Sequence, residues 1–98
     1  MNHSNQFTLD MSINHADFFR LLPAAIVPYE SRINANVIEI FQEQRRVLIT
    51  LGEEQQRRIT GLLSLPRTQV GFVFEHFSDE QRAAFMRRFD RYFHRGGG

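Results

Sequence analysis

The 98 residues allow one domain with a single core, and the absence of cysteine excludes a disulfide scaffold, thiol catalysis and thiolate metal sites. Twelve arginines, no lysine and eleven acidic residues leave a formal charge of +1. That balance provides no global field to hold a polyanion, so any such contact needs a local patch.

The opening segment MNHSNQFTLDMS has neither a basic run nor an apolar run of the secretory kind. The longest apolar stretch, Leu21 to Val27, is broken by Pro23 and falls far short of the ~20 residues needed to span a bilayer. These features predict a cytoplasmic protein without a membrane partner, arranged as a disordered N-terminus over 1–5, one domain over 6–95 and a flexible glycine tail over 96–98.

Phe7, Leu9, Met11 and Ile13 alternate with Thr8, Asp10 and Ser12, the period-2 pattern of a strand buried on one face. Asn14 then reads as an N-cap with Asp17 at the third position, opening a short helix through Phe18, Phe19, Leu21 and Leu22. Pro23 lacks the amide owed to the carbonyl of Phe19, so the helix is expected to end or kink there. From Ser31 to Gln42 the chain reads as one extended stretch, with Val37, Ile38, Ile40 and Phe41 crowding both faces. A polar link at Glu43 and Gln44 leads into a strand over Arg46 to Leu51, with Val47, Ile49 and Leu51 on one side and Arg46, Leu48 and Thr50 on the other.

Gly52 to Gln56 reads as a hairpin loop, followed by a strand over Arg57 to Leu65 with Ile59, Gly61, Leu63 and Leu65 on one face. Pro66 presets a turn at Leu65 to Thr68. The last strand, Gln69 to Phe77, is expected to place Val70, Phe72, Phe74 and His76 on one side and Gly71, Val73, Glu75 and Phe77 on the other.

Ser78 and Gln81 form an S-x-x-Q capping box at the start of a final helix, with Asp79 and Glu80 in its first turn, where carboxylates favour the positive end of the dipole. Gly96 is placed to stop it. Phe85, Phe89, Tyr92 and Phe93 share one side at i, i+4, i+7 and i+8, a face that must be buried on a sheet. Arg82, Arg87, Arg88, Arg91 and Arg95 fill most of the remainder, and Asp90 can reach Arg87 and His94. The plainer reading of that arginine face is a solvated surface; the sharper one is an anion contact at Arg87 and Arg91.

The expected class is therefore α+β, in the order β-α-β-β-β-β-α, an antiparallel sheet with two helices packed on one face. As an element order this resembles the fold of the TATA-binding-protein repeat and, in larger form, that of the helix-grip proteins. The resemblance covers nearly the whole chain but carries no functional motif, so no residue role follows from it.

Catalytic signatures are weak throughout. His3, His15, His76 and His94 lack the i, i+4 spacing of a metal helix, and Glu53-Glu54 and Asp79-Glu80 fit a solvated loop and a helix start better than an acid-base pair. No G-x-S-x-G elbow or phosphate-cradling glycine loop occurs. Neither enzyme activity nor a cofactor is expected.

The remaining signal is arginine clustering at Arg45-Arg46 and Arg57-Arg58. If their strands pair, Arg46 and Arg58 would lie together on the face away from the helices, interrupted by Leu48, Leu62, Val73 and Phe77. An arginine-rimmed apolar surface of that kind fits a protein interface. The leading expectation is a small non-enzymatic interaction domain that self-associates, as a homodimer for instance, or binds another protein through the open sheet face. The alternatives are nucleic-acid binding through the arginines and a small apolar ligand held between helix and sheet.

Overall fold

A computed structural model describes the backbone of residues 5–97 and the side chains of residues 5–93. Six strands and two helices follow in the order β1 (Gln6–Met11), α1 (His15–Ile26), β2 (Glu30–Asn34), β3 (Val37–Gln42), β4 (Arg45–Leu51), β5 (Gln55–Arg58), β6 (Ser64–Glu75) and α2 (Asp79–Gly97). All pairings are antiparallel, in the spatial order β1-β6-β4-β3-β2, with β5 also on β6. The α+β class and the order of elements agree with the sequence reading.

Alternation sets the two faces. Ile38, Ile40, Val47, Ile49, Leu51, Val70, Phe72 and Phe74 are buried on one side of β3, β4 and β6, beneath Phe18, Leu22, Ala25 and Ile26 of α1 and Phe85, Phe89 and Phe93 of α2. Both helices cover the same face. Their ends follow from capping: Asn14 Oδ1 accepts from the Asp17 amide at 2.7 Å, while Ser78 Oγ accepts from the Gln81 amide at 3.1 Å and Gln81 Oε1 from the Ser78 amide at 2.9 Å. Since α1 carries no basic residue in its last turn, Arg88 of α2 supplies the charge, donating to the Ala24 carbonyl at 3.0 Å while lying over the Tyr92 ring.

Several local expectations are corrected. Of the two outcomes expected at Pro23, helix α1 does not end there but continues to Ile26, with the proline on the exposed side while Leu22, Ala25 and Ile26 are buried against the core. The stretch from Ser31 to Gln42 is two strands, folded back at Ala35, whose φ of 56° is left-handed. Asn36 holds that turn: its side chain donates to the Leu51 carbonyl at 2.7 Å and its own carbonyl accepts from the Leu51 amide at 2.8 Å. Pro66 does not make a turn but lies within β6, opposite Gln56 on the short β5. Helix α2 includes Gly96 and runs to Gly97. The expected frayed segment falls outside the described residues except for Asn5, which is exposed.

The largest correction concerns β5. Rather than running from Arg57 to Leu65 beside β4, it ends at Arg58, and β4 pairs with β3 and β6 instead. Leu51 faces Val70 and Gln55 faces Arg67, so Gly52, Glu53 and Glu54 oppose only Thr68 and Gln69. This extra residue is a bulge that joins β4 to β5 along the same edge of β6. A side chain at Gly52 would bring a Cβ within 3.2 Å of the Gln69 carbonyl, which accepts from the Gly52 amide at 2.8 Å. His15 pins the bulge to the start of α1, its Nε2 lying 2.8 Å from the Gly52 carbonyl and its amide donating to Glu54 Oε1 at 2.9 Å. Beyond the bulge, β5 and the first part of β6 form a two-stranded arm, and the molecule measures 47 × 28 × 24 Å.

Candidate functional site

The sheet face opposite the helices has no covering layer among the described residues. Residues of the open parity line it: Thr8 and Asp10 of β1, Gly71, Val73 and Glu75 of β6, Arg46, Leu48 and Thr50 of β4, Val37, Glu39 and Phe41 of β3, and Arg32 of β2. Its charges are matched across strands. Arg46 bonds Glu39 at 2.8 Å and Glu75 at 2.9 Å, and Glu39 also meets Arg32 at 3.3 Å, giving an alternating row over four strands. Hydrogen bonds to Glu39 and Glu75 push the Arg46 guanidinium further toward its protonated form. Arg32 in addition lies 5.2 Å from the centre of the Phe41 ring.

Apolar groups lie between these pairs. Leu48 pairs in register with Val73 and is 36% exposed. Thr8, Gly71 and Thr50 stand opposite one another on three adjacent strands, and the missing side chain of Gly71 leaves a shallow depression of about 270 Å³.

The residues singled out from sequence separate into four places. Arg46, Leu48 and Val73 come together on the open face. Arg58 and Leu62 are on the arm instead, because β5 pairs only with β6 and Arg58 stands opposite Ser64. Phe77 turns to the core side: His76 adopts a φ of 63° just after β6, which interrupts the alternation, and the Phe77 ring meets Tyr29, Phe74 and Phe85 at 5.0–6.0 Å. Arg87 and Arg91 are exposed on α2, far in character from the sheet row, and among the described residues no ion pair joins Arg87 to Asp90. The Arg45-Arg46 pair is likewise split by strand alternation, Arg45 packing over Tyr29 and Phe77 on the helix side.

Sequence reasoning missed the arm. Ile59, Leu62, Leu63 and Leu65 are 48%, 102%, 49% and 40% exposed, and the face that alternation assigns to Ile59, Gly61, Leu63 and Leu65 has no second layer to bury it among the described residues. The uncharged run from Ile59 to Pro66, bounded by arginines, was the available signal.

Asp10 ties the base of the arm to β1. Arg67 donates from Nε to Oδ1 at 2.8 Å and lies 2.6 Å from Oδ2 through Nη2. The hydrogen bond from Arg67 holds the Asp10 carboxyl below its ordinary 3.8, with the charges of Arg67 and Arg57 adding to it and burial opposing. A carboxyl depressed on folding stabilises the native state above its unfolded pKa, and that contribution is lost as pH falls through the folded value. Asp10→Asn is accordingly expected to flatten the loss of stability between about pH 5 and pH 2, read from urea midpoints; parallel curves for the two proteins would show that the pair does not couple to folding.

The space between helices and sheet is filled by rings: Phe18, Phe72, Phe74, Phe85, Phe89 and Phe93 meet at centroid distances of 4.2–6.3 Å. No helix is long and apolar enough to cross a membrane among the described residues. No protein-family model, curated protein or solved structure matches the chain.

Proposed function

We propose that the chain is a non-enzymatic interaction domain that associates with a second copy of itself, or with another protein, through the open sheet face. The observation that carries this reading is the charge-matched row Arg32, Glu39, Arg46 and Glu75 running beside Leu48 and Val73. Arginines already bonded to carboxylates offer little to a polyanion, whereas an alternating row is self-complementary and its apolar neighbours gain from being covered. The nucleic-acid alternative is weakened by the same pairing and by the separation of Arg58 from Arg46. The apolar-ligand alternative is weakened by the ring-filled interior.

Sedimentation equilibrium at about 50 and 500 mM salt, with and without mixed single- and double-stranded nucleic acid, tests the reading. A dimer that persists at both salts, ignores nucleic acid and falls to monomer on Leu48→Arg is the expected result. A monomer that joins nucleic acid only at the lower salt would overturn it and assign the arginines instead.

A further inference from the structure

The arm beyond the bulge has features that the sheet-face reading does not use. From Ile59 to Pro66 there is no charged residue, and from Gln55 to Arg67 no acidic one. Its tip carries Ile59, Leu62 and Leu63, with Leu62 at full exposure. Just behind the tip stand Arg57 and Arg58, opposite Leu65 and Ser64. We infer that this tip is an interfacial anchor, dipping Ile59, Leu62 and Leu63 into the acyl boundary of an anionic phospholipid bilayer while Arg57 and Arg58 meet the lipid phosphates.

Three observations favour a lipid surface over a protein. First, the tip is convex and small: Ile59, Leu62 and Leu63 at roughly 100 Å² each give about 300 Å², under half of the ~800 Å² per partner that a stable protein interface buries. A bilayer sets no such minimum. Second, four of the tip's backbone amides are already bonded from within. The Ile59 and Thr60 amides donate to the Leu63 carbonyl at 2.8 and 3.2 Å, and Thr60 Oγ1 accepts from the Leu62 and Leu63 amides at 3.2 and 3.1 Å. Four of the tip's amides are thereby spared an unmet hydrogen bond on leaving water, which lowers the cost of entering the interface. Third, the spacing fits. The three residues from Arg58 to Gly61 would span about 10 Å if fully extended and span less as the turn they form, which keeps the arginines at headgroup level for the ~5–10 Å to which interfacial segments penetrate.

The expectation from sequence of no membrane partner rested on the lack of an apolar span, and an interfacial contact needs none. This surface is separate from the open sheet face, so either reading can fail without the other.

The chain has no tryptophan, so Leu62→Trp introduces a single reporter. The variant is mixed with vesicles of phosphatidylcholine alone or with about 30% phosphatidylglycerol, at low and high salt. The expected result is a blue shift and quenching by acyl-labelled lipid in the anionic vesicles. In the parent protein, Leu62→Asp should weaken cosedimentation with those vesicles by about tenfold or more, and Arg57→Gln with Arg58→Gln by about 30-fold. Unchanged cosedimentation of Leu62→Asp, or an indole that lipid quenchers do not reach, would overturn the proposal. So would a blue shift that rises with protein concentration in the absence of vesicles, which would assign the tip to a protein contact. Because Leu62 touches none of the core, urea midpoints equal to that of the parent separate a lost anchor from a lost fold.

Discussion

Phe89→Ala is expected to cost about 3–5 kcal/mol of folding stability, a large fraction of the about 5–15 kcal/mol that a domain has. The ring is fully buried where α1, α2 and β6 meet. It stacks on Phe93 at 4.2 Å within α2, meets Phe72 of β6 edge-on at 5.2 Å, and lies 6.2 Å from Phe18 of α1. Truncation removes the transfer energy of a phenyl ring and also leaves a cavity that neighbours on three rigid elements cannot close. Phe89→Leu should recover much of the loss, since most of the apolar volume returns. Urea denaturation followed by circular dichroism measures both. A loss under about 1 kcal/mol for Phe89→Ala would show that α2 does not pack by this face.

That face was legible in the sequence because helical spacing and capping are local. Phe85, Phe89 and Phe93 repeat at four, and Ser78 and Gln81 form their box within one turn, so neither depends on a distant partner. The strands with strict alternation, β1, β4 and the second half of β6, were readable for the same reason.

What the sequence concealed was partnership. Ala35 has no local reason to take a left-handed conformation; the turn is held by Asn36 bonding to Leu51, fifteen residues away. Pro66 carries a turn signal, yet it is tolerated inside β6 because the strand there has passed from the sheet into the two-stranded arm. The placing of Arg58 beside Arg46 assumed that consecutive strands pair. The bulge at Gly52 to Glu54 instead carries β5 along the edge of β6, so the candidate surface divided into a sheet face and an arm. Phe77 was lost to the core through a single dihedral at His76.

Thr68→Val is the second large effect, expected to cost about 1–3 kcal/mol although it changes no volume. Thr68 is 1% exposed, and its Oγ1 donates to the Ile13 carbonyl at 2.8 Å, just where the chain leaves β1 for α1 and β6 passes the bulge. The ladder between β1 and β6 ends at the pair Met11 and Thr68, so the hydroxyl provides the bond that the next ladder step would have made. Valine fits the same space but leaves the Ile13 carbonyl buried without this donor, and it loses nothing in apolar contact that could be confused with the effect. Thr68→Ser makes the opposite trade, keeping the donor and losing one methyl, at about 0.8 kcal/mol. The expected order of urea midpoints is therefore parent, then Thr68→Ser, then Thr68→Val. If serine proved the more damaging, the methyl would matter more than the hydrogen bond, and the seam between β1, α1 and the arm would be held by packing alone.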